Sequence, residues 1–219
     1  MVEKAASGRR ADPKKQKLTR IQREKRQQIL RAALDVFAVD GLRGATLAKI
    51  ADAAGMSKPH VVYYFGSKDA IYTDLLESLL ETWLSPLREL SEEGEPLAEI
   101  LTYVRRKLRM SQEMPRESKL FATEILHGAP RTVDQLSGAL KSLVDEKAAV
   151  IENWSREGKL AHVDPHHLIF SIWAMTQHYA DFDVQVCAIL GEPRAERLFD
   201  EADAYLTDFF VRALRPTVE

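Results

Sequence analysis

Apolar residues recur every three or four positions along most of the chain, and beyond Gly94 no strand-like alternation occurs. A period near 3.6 residues predicts amphipathic helices, because it places one apolar stripe on one helix face. The predicted fold class is therefore all-α. Helices are expected near residues 22–39, 46–54, 57–65, 68–90, 96–113, 115–127, 132–157, 165–189 and 194–214.

The stretch 46–65 predicts two short helices joined by a tight turn. The apolar stripe of the first helix comprises Leu47, Ile50, Ala51 and Ala54. Thr46 is placed to cap this helix, and Ser57 is placed to cap the next one. Gly55 lies between them, where a chain leaving a helix needs a positive φ.

The second helix of this pair has an apolar inner face and a polar outer face. The inner residues are Val61, Tyr64 and Phe65, and the outer residues are Lys58, His60 and Tyr63. Pro59 falls in the first turn, where its missing N–H costs little. A compact pair of this kind is typical of a helix-turn-helix, whose second helix enters the DNA major groove. An ordinary helical hairpin within a bundle is the alternative.

Two further helices complete the predicted frame. The first, 22–39, ends at Gly41 and covers the back of the pair through Ile29, Ala33, Val36 and Phe37. The other, 68–90, is capped by Ser67 and bent by Pro86, and it connects two packed bodies. We therefore expect a three-helix helix-turn-helix domain over residues 27–72 and a C-terminal helical bundle for ligand binding and dimerisation over 73–219.

Charge is distributed unevenly along the chain. Residues 1–72 hold 15 Lys+Arg against 7 Asp+Glu, whereas residues 73–219 hold 16 against 26. Residues 1–26 alone hold ten basic and three acidic residues and lack apolar periodicity. This segment is predicted to be a basic flexible arm that attracts DNA phosphates. A solubilising tail is the alternative.

Composition limits where the protein is expected to act. No apolar run is long enough to cross a membrane, and the N-terminal segment is basic and polar, unlike a secretory signal. The single cysteine, Cys187, cannot form an intrachain disulfide, which suits a reducing compartment. We expect a cytoplasmic protein of 219 residues that is not attached to a membrane.

A candidate ligand pocket follows from polar residues on an apolar helix. In the helix 165–189, Phe170, Trp173, Gln177 and Asp181 share one face. Polar groups beside aromatic rings are typical of small-molecule pockets. Trp83, Phe121 and Glu124 could complete such a pocket. Alternatively, these polar groups bond one another in the core or face a second subunit, for which the apolar helix 194–214 is suited.

The sequence contains no strong motif for nucleotide binding, catalysis or metal binding. The sequence has no glycine-rich phosphate loop, no nucleophile elbow and no cysteine cluster. His166 and His167 point apart on a helix, while His178 and Asp181 supply only two ligands. We therefore predict no metal, no cofactor and no enzymatic activity.

The residues quoted above carry a family resemblance. The segment from Thr46 to Leu76 resembles the DNA-binding domain of the TetR family of bacterial repressors, through Ile50-Ala51, Ala54-Gly55, Ser57, Tyr64-Phe65 and Ser67-Lys68. Segments 83–87, 127–130, 143–154, 164–170 and 177–182 resemble the pyrimidine-utilisation regulators of that family. The resemblance implies a homodimeric repressor that binds a palindromic operator and releases it on binding uracil or thymine.

The resemblance also implies roles for particular residues. The recognition helix falls on 57–64 and the phosphate-contacting lysine on Lys68, so the implied DNA contacts are Thr46, Ser57, Lys58, Pro59, His60, Tyr63, Tyr64 and Lys68. Val62 departs from the tyrosine usual in the family, and Met56 replaces a commoner valine. The candidate pocket fits this ligand, so Gln177 and Asp181, or Glu124, are predicted to hydrogen-bond the pyrimidine, and the predicted stacking residues are Trp83, Phe121 and Trp173. Effector binding is expected to tilt the helix 68–90. The alternative to uracil or thymine is that the effector is a different small molecule.

Overall fold

A computed structural model describes residues 19–192 and 194–216. Within them the secondary structure is helical and contains no strand, which confirms the all-α prediction. The helices are α1 (Arg20–Gly44), α2 (Leu47–Ala53), α3 (Lys58–Phe65), α4 (Lys68–Arg88), α5 (Pro96–Glu113), α6 (Pro115–Leu126), α7 (Val133–Gln135), α8 (Lys141–Arg156), α9 (Pro165–Asp181), α10 (Asp183–Leu190) and α11 (Leu198–Leu214). None of the described helices is long and apolar enough to cross a membrane.

Helix α1 begins earlier than the sequence predicted. Thr19 and Gln22 form a reciprocal capping box, which satisfies N–H groups of the first turn and starts the helix at Arg20. The predicted flexible arm is therefore wrong for residues 20–26, and residues 1–18 lie outside the described residues. At the other end, Gly41 has φ 63° and breaks the helical path, as expected.

The described residues form two apolar clusters. The first joins α1, α2 and α3 to the first half of α4 through Ile29, Phe37, Ile50, Val61, Ile71 and Leu76. The second joins the rest of α4 to α5, α8, α9 and α11 through Leu87, Ile100, Ile151, Trp154, Ile169 and Phe210. Phe121 on α6 packs against both clusters. Helices α4 and α6 therefore connect the helix-turn-helix unit to the bundle.

Three long helices of the bundle are less regular than predicted. The segment 132–157 contains a π-helical turn, Leu136–Leu140, between α7 and α8. The segment 165–189 divides at Phe182, whose φ of −118° and ψ of 28° lie outside the helical region. The segment 194–214 opens with a 3₁₀ turn, Arg194–Arg197, before α11 begins. Each of the three predicted segments is therefore helical, but each contains or adjoins one irregular turn.

Candidate nucleic-acid interface and effector site

The turn between α2 and α3 has the geometry that its sequence predicts. Gly55 has φ 63°, and its N–H donates to the Asp52 carbonyl at 3.1 Å. The N–H of Met56 donates to the Ala51 carbonyl at 2.9 Å, which completes a Schellman motif. At the start of α2, the Thr46 hydroxyl accepts the Lys49 N–H at 3.2 Å and acts as the predicted cap. The direction of α3 is therefore set by local hydrogen bonds.

The outer face of α3 is open to solvent. Val61 is fully buried, whereas 72% of Tyr63 is exposed and Lys58, Pro59 and His60 are exposed as well. Tyr64 is half-buried, and its ring lies 5.2 Å from that of Tyr63 and 5.3 Å from that of His60. The face predicted to read DNA thus consists of one lysine and a cluster of aromatic rings.

Ser57 is the N-cap residue of α3, as predicted, but its hydroxyl does not cap the helix. Pro59 has no N–H to offer, and the N–H groups of His60 and Val61 donate to the Ser57 carbonyl at 3.0 and 3.2 Å. The exposed Ser57 hydroxyl remains available to an external acceptor.

Arg26, which the sequence placed in a flexible arm, holds α3 against α1 and α4. Its guanidinium donates to the Tyr64 carbonyl at 2.7 Å, pairs with Asp74 and lies 4.1 Å from the centre of the Phe65 ring. Sequence patterns missed this role because all three partners are distant in the chain.

The ammonium group of Lys68 lies against the end of α1 and the residue that follows it. Its Nζ donates to the carbonyl oxygens of Leu42 and Ala45 at 2.6 and 2.9 Å. These contacts tie the start of α4 to the last turn of α1 and to its connection with α2. The phosphate contact implied for Lys68 stays a prediction, and in this structure the ammonium group serves the fold.

Several residues predicted to bind an effector meet beside a buried lysine. The rings of Trp83 and Phe121 stack with centres 5.8 Å apart, and Lys107 Nζ lies 5.9 Å from the Trp83 ring centre. Only 3% of Lys107 is exposed. Burial lowers its pKa from 10.5 to about 7, against the opposing effect of the Asp181 carboxylate.

Asp181 and Ser118 complete the polar part of this cluster. The Ser118 hydroxyl donates to Asp181 Oδ1 at 2.6 Å, and Ser118 is buried. Burial raises the pKa of Asp181 above its ordinary value, while the bond from Ser118 and the charges of Lys119 and Lys107 oppose that rise. The buried side chains of Lys107 and Ser118 thus lie near the half-buried carboxylate of Asp181.

Trp173 and Gln177 lie two turns and one turn, respectively, before Asp181 on α9. The Trp173 Nε1–H donates to the Tyr103 hydroxyl at 2.6 Å, and burial raises the pKa of that hydroxyl. Gln177 is half-buried, and its side chain makes no hydrogen bond to the described residues. Helical spacing places the three α9 residues on the same face. The amide of Gln177 thus remains available to a ligand.

Glu124 lies apart from this cluster. Its carboxylate accepts the Arg131 N–H at 2.9 Å and lies 3.6 Å from the Arg131 guanidinium. It also lines a cleft of about 930 Å³ between α1 and α6, which none of the other predicted effector residues lines. Because its carboxylate already has a cationic partner, we leave Glu124 out of the effector site.

Lys107, Ser118 and Tyr103 were not among the residues predicted from the sequence. The apolar stripe of α5 contained a signal for one of them, since Lys107 falls between the buried Val104 and Leu108 and follows Tyr103 by one turn. A lysine on an inward face must find partners. Ser118 gave no such signal. Among residues 19–192 and 194–216, no group of three metal-ligating side chains occurs.

Comparison with known proteins places the chain in a class. Residues 29–75 match the family described as bacterial regulatory proteins, tetR family, and residues 76–217 match the YcdC-like protein, C-terminal region. The chain therefore belongs to the TetR family of helix-turn-helix transcriptional regulators, and it is a regulator, not an enzyme. The resemblance read from the sequence is confirmed.

Particular relatives narrow the class further. The HTH-type transcriptional regulator RutR of Escherichia coli K12 is 47% identical over 193 residues, covering 88% of this chain and 91% of that protein. RutR of Shigella flexneri matches to the same extent. The chain is thus a regulator of the RutR type.

Solved structures agree on the fold. The transcriptional regulator SCO4942 of Streptomyces coelicolor has a TM-score of 0.71 and 22% identity, covering 88% of this chain and 99% of that one. The ketosteroid regulator KstR2 of Mycobacterium tuberculosis has a TM-score of 0.63 and 18% identity, covering 88% and 96%. At such identities the likeness concerns the fold alone.

Proposed function

We propose that this chain is a cytoplasmic repressor of pyrimidine-utilisation genes that releases its operator on binding uracil or thymine. The observation that carries the proposal is the interior cluster of Lys107, Ser118 and Asp181 beside the stacked rings of Trp83 and Phe121. Buried polar groups next to aromatic faces suit a flat, polar heterocycle.

The chemistry of the cluster matches a pyrimidine-dione edge. Such an edge alternates carbonyl acceptors with N–H donors. The Lys107 ammonium and the Gln177 amide can donate to the carbonyl oxygens, and the Asp181 carboxylate can accept an N–H. Trp83 and Phe121, together with Trp173, supply aromatic faces for the ring. In this proposal the Ser118 hydroxyl orients Asp181.

Operator binding is assigned to α3 in a homodimer. Two copies of α3 must lie about 34 to 36 Å apart to enter successive major grooves. Regulators of this family act as dimers, and the C-terminal helices carry exposed apolar side chains suited to the subunit contact, namely Phe170, Phe182, Val184, Ile189, Tyr205 and Phe209.

Helices α4 and α6 are proposed to transmit the effector signal. Trp83 lies on α4 and Phe121 on α6, and the neighbouring Leu120 packs in the apolar cluster of the helix-turn-helix unit. A ligand beside Trp83 and Phe121 would shift these helices and change the spacing of the two recognition helices. By linkage, the effector must then bind the DNA-free arrangement more tightly, by about 1 to 3 kcal/mol.

Two titrations test the proposal. Gel-shift titration of an operator fragment is expected to show weaker binding in the presence of uracil. Calorimetry should detect uracil binding to the wild type and at least tenfold weaker binding to Gln177→Leu, since that variant loses both donor and acceptor. Gln112→Leu, at an exposed position on α5, is the control and should bind as the wild type does. Unchanged operator affinity with uracil contradicts the proposal.

A TetR-type repressor that responds to another small ligand is the second candidate, and the Lys107 ammonium favours it because a buried cation also suits an anionic ligand. A thermal-shift screen separates the two. Uracil and thymine should raise the melting temperature more than orotate or unrelated acids do. The reverse order supports the second candidate.

A further inference from the structure

A solvent-open cleft of about 930 Å³ lies between the last turns of α1 and the length of α6. This volume falls within the range of small-molecule sites in proteins. No residue of the proposed effector cluster lines it. The cleft is therefore a separate space, and its walls belong to the helix-turn-helix unit on one side and to α6 on the other.

The floor of the cleft is made of buried, mostly apolar side chains. It is formed by Phe37, Tyr72 and Leu120, all of which are buried in the first apolar cluster. The Phe37 and Tyr72 rings meet edge to face with centres 5.0 Å apart. An aromatic or aliphatic body lying on this floor would remove apolar surface from water.

The rim of the cleft has an excess of positive charge. Its lining contains four cationic side chains, Arg43, Arg116, Lys119 and Arg131, against two carboxylates, Asp40 and Glu124. Asp40 already pairs with Lys49 at 2.8 Å. This local excess contrasts with the acidic composition of residues 73–219.

Two of the rim cations can exchange partners at little cost. Arg116 pairs with Asp35, and Lys119 pairs with Asp183 at 2.7 Å. The side chains of both pairs are between 38% and 61% exposed, and ion pairs in such surroundings contribute little to stability. A ligand carboxylate at this rim would therefore meet available cations.

The inner end of the cleft has a different character. Glu124 is buried, and its carboxylate lies close enough to Tyr72 to raise the pKa of that hydroxyl, although burial is the larger cause. Glu124 and Arg131 pair at 3.6 Å and neutralise each other at this end, so the charged group of a ligand belongs at the outer rim. The two ends of the cleft therefore predict both the charge of the ligand and the direction in which it lies.

We propose that this cleft binds a small amphiphilic carboxylate, with its apolar body on Phe37 and Leu120 and its carboxylate between Arg116 and Lys119. This site is distinct from the proposed pyrimidine site and does not depend on it. Because a ligand there contacts both α1 and α6, it favours the separation of these helices seen in this structure, which gives the regulator a second input.

Calorimetry at low salt on the full chain tests the proposal, with excess uracil present throughout. Phenylbutyrate is expected to bind at least tenfold more tightly than its neutral isostere, phenylbutanamide. Arg116→Ala/Lys119→Ala should abolish this preference. The control Arg105→Ala/Lys141→Ala removes two exposed positive charges elsewhere and should preserve it.

A steric variant distinguishes the cleft from other surfaces. Thr123 is exposed and lines the cleft, so Thr123→Trp should fill the space, prevent phenylbutyrate binding and leave the melting temperature nearly unchanged. Gln177→Leu, which alters only the proposed pyrimidine site, should bind phenylbutyrate normally. Equal affinity for acid and amide, binding that survives Thr123→Trp, or no binding at millimolar acid overturns the proposal.

Discussion

Lys107 carries an unusual electrostatic cost because its ammonium group is almost fully removed from water. Its pKa of about 7 in the folded protein lies below the 10.5 of an exposed lysine. Below pH 7 both the folded and the unfolded chain hold this proton, and the folded state bears the full cost. Above pH 7 only the unfolded chain retains it, so the contribution of Lys107 to stability rises with pH up to the unfolded value.

In the wild type, Lys107 should make the free energy of unfolding rise with pH. We therefore expect this rise to be smaller in Lys107→Met. Between pH 7 and about pH 9, the contribution of Lys107 in the wild type should grow by up to about 1.4 kcal/mol per pH unit. Urea unfolding at both pH values measures this difference. Lys49→Met, at an exposed lysine, should show the wild-type pH dependence; an identical dependence in Lys107→Met would contradict the assignment.

Gly55 has a conformational role that a side chain would oppose. A Cβ at this position would meet no atom within 4 Å, so only its φ of +63° resists substitution. Gly55→Ala is expected to lower the free energy of unfolding by about 1 kcal/mol. Gly138→Ala is the matched control, because it also has open space but no positive φ, and helix propensity predicts that it stabilises the protein slightly. Thermal unfolding of both variants checks the contrast.

At the scale of single elements, α3 depends on a residue that does not lie on its DNA-facing side. Arg26→Ala removes the contacts to the Tyr64 carbonyl, Asp74 and the Phe65 ring. We expect a loss of about 1 to 3 kcal/mol in stability and weaker operator binding with an unchanged salt dependence. Lys58→Ala should instead reduce the salt dependence by about one phosphate contact and leave stability unchanged.

Salt-dependent gel shifts and urea unfolding on the two variants separate these roles. Arg20→Ala, at a highly exposed pair near the start of α1, serves as the control for stability. If Arg26→Ala lowered the salt slope while preserving stability, Arg26 would be a phosphate contact and the structural role would be wrong.

The elements that the sequence predicted correctly are those specified by neighbours in the chain. Gly41 interrupts α1 and Gly55 follows α2, both with positive φ, and the stripe ending in Ala54 faces inward. The features that the sequence did not predict depend on contacts between residues that are distant in the chain. Arg26 looked like part of a basic arm, and the continuous periodicity through Phe182 concealed the break between α9 and α10.

The candidate effector site was only partly predictable for the same reason. Trp83, Phe121 and Asp181 do converge, because each lies on a face that its helix must bury. Glu124 does not join them, since Arg131, seven residues later, takes up its carboxylate. Lys107 and Ser118 come from α5 and α6, and no local pattern relates either of them to Asp181 on α9.

At the scale of the whole molecule, the proposed homodimer can be tested through α11. Tyr205 and Phe209 are 58% and 41% exposed and lie one turn apart. Tyr205→Asp/Phe209→Asp should place two charges in the subunit contact, yield monomers in sedimentation velocity and weaken operator binding at least tenfold. Leu126→Asp, at an 82% exposed position on α6, should leave the dimer intact. A dimeric double variant would exclude this face of α11.

The π-helical turn at Leu136–Leu140 has a consequence for chain length. A π turn holds one residue more than the α-helical turn that it replaces. Gly138 within it is exposed and meets no neighbouring atom, so deleting it would return this segment to a regular α-helix without rotating α8. Leu143 and Trp154 would keep their places in the core. This turn is therefore where a gene for such a regulator can gain or lose a single codon while its product keeps the same interior.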